Sequence, residues 1–165
     1  MSSQYVNSAT SSVTFSGLDG DAHKEYLLLS RIVFANASSN YYAALNYNGT
    51  PSPDANIYKI YTRASGSINT QGFYDQVNKY AFGKGVVVFN KTQIRAKSGN
   101  ARIEYSGGVG YASADSIFVT DSTTRWANTT DNLTSFTITG HLESDASSAS
   151  IIGSGSAFHL YRYEV

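Results

Sequence analysis

The chain contains no cysteine among its 165 residues. That single absence excludes disulfide frameworks, thiolate zinc sites, iron–sulfur clusters and cysteine nucleophiles, and it leaves the redox compartment open. A surplus of either charge is also missing: 12 Lys and Arg balance 12 Asp and Glu, and neither sign gathers into a run. Proteins that hold duplex nucleic acid by counterion release carry a basic excess, so no nucleic-acid partner is expected. No stretch approaches the ~18 consecutive apolar residues of a transmembrane helix, and no membrane association is expected. The N-terminus, Met1-Ser2-Ser3-Gln4-Tyr5, has neither the basic start nor the apolar segment of a secretory signal. Only two prolines occur, Pro51 and Pro53, close together. Leu, Glu and Lys, the common helix formers, are sparse.

What is present favours β structure. The chain has 13 Tyr and 14 Gly, with abundant Ser, Thr and Asn. Its 17.8 kDa is one ordinary domain, large enough to bury about 69 % of the unfolded surface without staples. Residues 1–12 are polar, with Tyr5 and Val6 as the only anchors, and are expected to form an extended arm. Residues 13–165 are expected to form one sandwich domain.

Val13-Thr14-Phe15 predicts a short strand, stopped by the turn chemistry of Ser16 to Asp21. Tyr26 to Phe34 alternates Tyr26, Leu28, Ile32 and Phe34 against Leu27, Leu29 and Val33, which predicts a central strand covered on both faces. Further strands are predicted at Tyr41 to Tyr47 and Ile57 to Arg63, and at Val86 to Ala96 with a break at Asn90-Lys91. Ser98-Gly99-Asn100 predicts a hairpin turn into Arg102 to Tyr105, and Gly107 to Gly110 a flexible loop. Ser116 to Thr124, Leu133 to Thr139 and Ala157 to Glu164 complete eight or nine strands. Ala64 to Lys84 is a long loop or holds a helical turn near Gln71 to Tyr80. Strands with regular turn signals and no helix of any length predict an all-β antiparallel sandwich, jelly-roll-like by strand count.

Catalytic patterns are scarce. His23, His141 and His159 each stand alone in sequence, without the close spacing of metal ligands. No G-x-S-x-G elbow occurs, and Gly108-Val109-Gly110 lacks the rest of a dinucleotide fingerprint. Asp19, Asp21 and Glu25 are the metal candidates, since oxygen ligands near a glycine turn can hold Ca²⁺. Their spacing departs from the EF-hand loop, and a solvated turn whose aspartates accept backbone N–H bonds is the preferred reading. No cofactor and no enzymatic activity are expected. Five N-x-Ser/Thr sequons, at Asn36, Asn48, Asn90, Asn128 and Asn132, follow from the composition. Tyr41, Tyr42, Tyr58, Tyr61, Tyr74, Tyr80, Tyr105, Tyr111, Tyr161 and Tyr163 are each more readily core or sheet-face residues, but as a set they suggest contact with another molecule.

Several segments, in order from about Val13 to Tyr163, resemble a β-sandwich domain of tailed-bacteriophage virion proteins. Gly17-Leu18-Asp19-Gly20-Asp21 with Glu25-Tyr26-Leu27 is similar to its opening. Ile94-Arg95-Ala96 with Ser98-Gly99 and Arg102 continues the likeness. Trp126-Ala127-Asn128-Thr129 with Asn132-Leu133-Thr134-Ser135 resembles that family's W-x-N-T-x-x-N-I-T-S segment. Gly153 to Ser156 leading into Phe158 to Tyr161 is similar to its closing G-S-x-x-x-L-Y strand.

The resemblance implies a non-enzymatic component of the phage particle surface. Without a stalk-forming segment, a head decoration (cement) protein is preferred, with the major capsid protein as partner. The alternative is a tail or baseplate module that binds a receptor or host glycan. Neutral charge, many tyrosines and the polar arm predict a homo-oligomer, and analogy with three-fold capsid positions predicts a trimer.

Overall fold

Alternation of buried and exposed residues along each strand sets the architecture. The structure, a computed structural model, describes residues 1–35, 41–51, 58–63, 67–69, 79–83, 87–100, 102–113, 116–126, 128–142 and 151–163. Its strands are β1 (Ser2–Tyr5), β2 (Ser12–Ser16), β3 (Glu25–Val33), β4 (Tyr41–Tyr47), β5 (Thr50–Pro51), β6 (Tyr58–Arg63) and β7 (Ser67–Asn69). They continue as β8 (Lys79–Gly83), β9 (Val87–Arg95), β10 (Arg102–Ser113), β11 (Ser116–Trp126), β12 (Ser135–Leu142) and β13 (Ala157–Tyr163). One helical turn, α1 (Gly20–His23), precedes β3.

Two antiparallel sheets form the sandwich that the composition predicts. The larger has eight strands in the order β1-β13-β3-β9-β10-β11-β6-β7. The smaller runs β2-β12-β4-β5, with β8 also pairing β4. Between them, Phe15, Leu45, Phe136 and Ile138 from the small sheet meet Leu28, Ile32, Val88 and Phe158 from the large one in a single apolar cluster. Several of these side chains have no exposed surface. Among the described residues, thirteen strands exceed the eight or nine expected, because β1, β5, β7 and β8 are short and their backbone pairing outweighs a weak side-chain pattern. Within the segment expected as a loop or helical turn, residues 71–78 lie outside the described residues, and Lys79 and Tyr80 begin β8.

Four expectations are corrected. Asn90 and Lys91 do not break a strand: β9 continues through them, because Asn90 faces inward and bonds to Thr92 and Ser106. Gly107 to Gly110 are not a loop but the middle of β10, held by β9 on one side and β11 on the other. β3 is central, between β13 and β9, yet only one of its faces is covered, and Leu29 on the other is 36 % exposed. The turn before it contains a helical turn, with Asp19 as N-cap accepting from Ala22 N at 3.0 Å.

Residues 1–12, expected as an extended arm, are extended and lie along their own domain. Ser2 to Tyr5 pair with Leu160 to Ala157, Val6 N donates to Ser156 O at 2.9 Å, and Thr10 pairs with Ile152. Polar side chains do not prevent this, since the bonds are made by the backbone.

An exposed sheet face as the candidate functional site

The register of the large sheet places one set of residues in rows across its outer face. One row runs Tyr5, Ala157, Arg31, Phe89, Val109 and Val119, strand by strand. The next runs Ser3, His159, Leu29, Lys91, Gly107 and Asp121. Among the described residues, the exposed large hydrophobics are Met1, Tyr5, Leu29, Phe89, Ile103, Tyr105, Val109 and Tyr163. Every one after Met1 lies on this outer face. Phe89 is 52 % exposed and Val109 41 %.

At the middle of β9 and β10 the inner side is locally polar, between the buried Val88 and Ile94. Asn90, Thr92 and Ser106, all buried, join in a closed set of hydrogen bonds of 2.8 to 2.9 Å. There polar side chains point inward, while Phe89 and Val109 point outward in line with Lys91 and Arg95. The inward Asn90 is where the sequence pattern and the strand disagree. The exposed Leu29, Phe89 and Val109 mark the outer face, since clustered exposed apolar side chains signal a contact surface.

At the centre of the face is an open groove of about 630 Å³, lined by Leu29, Phe89, Lys91, Val109, Asp121 and His159 among others. At Gly107, which has no side chain, its neighbours close over the backbone. A Cβ there would stand 3.0 Å from Asp121 Oδ1, and the Tyr105 hydroxyl would lie 3.8 Å away. Tyr105 donates its hydroxyl to Asp121 Oδ1 at 3.0 Å. That bond raises the Tyr105 pKa above the ordinary tyrosine value. His159 is hydrogen-bonded to Ser3 Oγ at 2.9 Å and meets the Tyr5 ring edge-on.

The residues singled out as metal candidates do other work. Asp19 caps α1 and accepts from Asn132 Nδ2 at 3.0 Å, while Asp21 Oδ1 accepts from Ser98 N at 2.8 Å. Both carboxyl groups are held below their ordinary pKa by these bonds. Glu25 pairs with Arg95 at 3.4 Å on the sheet face. Among the described residues no three His, Asp or Glu side chains are grouped so as to hold a metal ion. The histidines sit apart in the fold: His23 in α1, His141 stacked on Tyr42 in the small sheet, and His159 on the face. No helix among the described residues is long and apolar enough to cross a membrane.

Three of the four segments that carry the phage resemblance meet in one corner, while Gly153 bonds to Val33 O at the other end of β3. Arg102, 2 % exposed, donates to Asn128 O at 2.9 Å and to Asp131 O, and its guanidinium lies 4.5 Å from the Trp126 ring centroid. Trp126 stacks in turn on Tyr47, whose hydroxyl donates to Glu104. Asn128 Oδ1 accepts from Thr130 N and Asp131 N, and Asn132 Oδ1 from Asp21 N. These are fold-keeping roles, as expected for an Asx-rich turn.

Of the tyrosines weighed as a contact set, Tyr105 and Tyr163 are exposed on the face and Tyr42 is buried. Tyr161 is half-buried. Tyr74 lies outside the described residues, as do the side chains of Tyr41, Tyr58, Tyr61, Tyr80 and Tyr111. The pattern missed Leu29, Phe89 and Val109. The available signal was the alternation of Phe89, Lys91, Gln93 and Arg95, which names an outer face once Asn90 is accepted inside.

No protein-family model, no curated protein and no solved structure matches the chain.

Proposed function

We propose that the chain is a non-enzymatic structural protein of a tailed-phage particle, a head decoration protein, and that the outer face of its large sheet is a protein-contact surface. The observation that carries the contact role is the set of apolar side chains on the outer face of the large sheet, which leaves Phe89 and Val109 in solvent. The virion assignment is supported by the ordered segments from Gly17 to Tyr161 that resemble the phage sandwich domain. The major capsid protein is the proposed partner and the particle surface the proposed location. Quantitative mass spectrometry of purified particles tests this, with copy number as the readout. A copy number on the scale of the capsid lattice is expected. Absence of the chain, or its presence at low copy in tails alone, overturns the decoration role.

A second reading, a tail or baseplate module for a receptor or glycan, is favoured by one feature. The exposed Phe89 ring borders a groove that also presents Lys91, Asp121 and His159, an apolar platform flanked by hydrogen-bonding groups. A glycan array with and without Ca²⁺ separates the readings. Saturable binding lost in Phe89→Ala supports the second.

A further inference from the structure

We propose that the occupant of the exposed sheet face is a second copy of this chain, packed face to face about a two-fold axis that runs along β10. The inference rests on the reading of this face as a protein-contact surface, and it replaces the three-fold association expected by analogy with a two-fold one.

The register supplies the argument. Lys91 on β9 and Asp121 on β11 both pair with Gly107 on β10, so the three share one row with the glycine in the middle. Phe89 and Val119 flank Val109 in the same way in the next row. A rotation of 180° about a line above β10 and parallel to it leaves β10 facing itself and exchanges β9 with β11. Lys91 of each copy then meets Asp121 of the other, and Phe89 meets Val119. Both contacts occur twice, as an isologous interface requires. Lys91 thereby meets an opposite charge and Phe89 an apolar group.

The axis runs along β10. Over Gly107 lie the Asp121 carboxylate and the Tyr105 hydroxyl, which is bonded to it, and Val109 supplies apolar contact in the next row. β10 is the fifth of the eight strands, so the rotation stacks the seven from β13 to β7, a width of roughly 29 Å at ~4.8 Å spacing, on the scale of a standard interface. Sheets stacked this way keep their strands within about 30° of alignment, which the shared twist allows. The same rotation carries Arg95 toward Arg125 at the rim, where Arg95 already pairs with Glu25 at 3.4 Å. An unrelated partner would have no reason to match the two-fold character of the Lys91 and Asp121 positions.

Charge reversal in solution tests the proposal. Light scattering and sedimentation of the full chain at tens of micromolar are expected to show a dimer at about twice 17.8 kDa. Lys91→Glu and Asp121→Lys are each expected to weaken the dimer at least about tenfold, because each sets like charges against each other. Mixing the two variants is expected to restore association, since every cross-copy pair is then opposite in sign. Circular dichroism checks that both variants fold. Lys91→Glu changes an exposed side chain and decides the matter by itself if Asp121→Lys does not fold. A wild-type monomer or trimer, a dimer unmoved by Lys91→Glu, or a mixture of folded variants that stays monomeric overturns the inference. None of these outcomes alters the virion copy number, so the decoration reading stands or falls separately.

Discussion

The guanidinium of Arg102 lies 4.5 Å from the ring centroid of Trp126, the one tryptophan of the chain. The same side chain donates to carbonyls of Lys97, Asn128 and Asp131, so it ties the β9–β10 turn to the segment after β11. Burial holds its pKa below the ordinary arginine value, against the pull of Asp21 and Asp131. Arg102→Met keeps much of the volume but leaves these acceptors without their donor. A loss of about 3 kcal/mol or more is expected in urea unfolding, with a shift in Trp126 fluorescence in the native state. A loss within a few tenths of the wild-type value would contradict the role given to Arg102.

Alkaline stability should depend on Tyr47. Burial, and then the Glu104 carboxylate, push its hydroxyl well above the ordinary value of 10.0. The folded state therefore holds this proton more tightly than the unfolded chain does. Its contribution is complete below about pH 10 and is lost as the pH rises through the higher folded value. Tyr47→Phe is expected to flatten the fall in stability above pH 10, leaving the parts due to Tyr26 and Tyr105, whose values are also raised. At neutral pH the variant should cost about 1–3 kcal/mol, because Glu104 loses a donor. Identical alkaline slopes for the two proteins would count against the assignment.

Acid acts in the same corner with the opposite sign. The N–H of Ala22 lowers the Asp19 pKa, and Ser98 lowers that of Asp21, both from 3.8. Stabilisation from these carboxylates is present above the ordinary aspartate value and is lost as the pH falls through their lower folded values. Amide exchange at Ala22 and Ser98 should accelerate in that acid range before global unfolding. In Asp21→Asn the pH dependence at Ser98 should vanish. Persistence of that dependence would assign it to another group.

Gly20 is held by space rather than by its backbone angles. A Cβ there would stand 2.8 Å from Leu133 Cβ and 2.9 Å from the Ala96 carbonyl oxygen. Gly20→Ala is expected to destabilise the fold by about 1–3 kcal/mol in thermal or urea unfolding, since the clash includes backbone. A neutral or stabilising result would show that α1 can move away from Leu133 at little cost.

The β character of the chain was legible without the structure. Alternating residues placed Tyr41–Tyr47 at its observed bounds and β3, β11 and β13 within two residues of theirs, because a half-buried strand repeats every second residue. The aspartates of the turn before β3 were legible as backbone acceptors, since their short side chains bond locally. Only tertiary structure decided which side of each strand is inside. Leu29 and Leu28 are chemically alike, and only the position of the second sheet makes Leu28 buried and Leu29 exposed. Gly107 to Gly110 looked like a loop because glycine weakens a strand; pairing on both sides keeps them in β10. The contact face, with Lys91 and Asp121 on either side of Gly107, is spread over strands distant in sequence. It exists only once their register is fixed, because side-chain period determines the face of a residue but not its neighbours across the sheet.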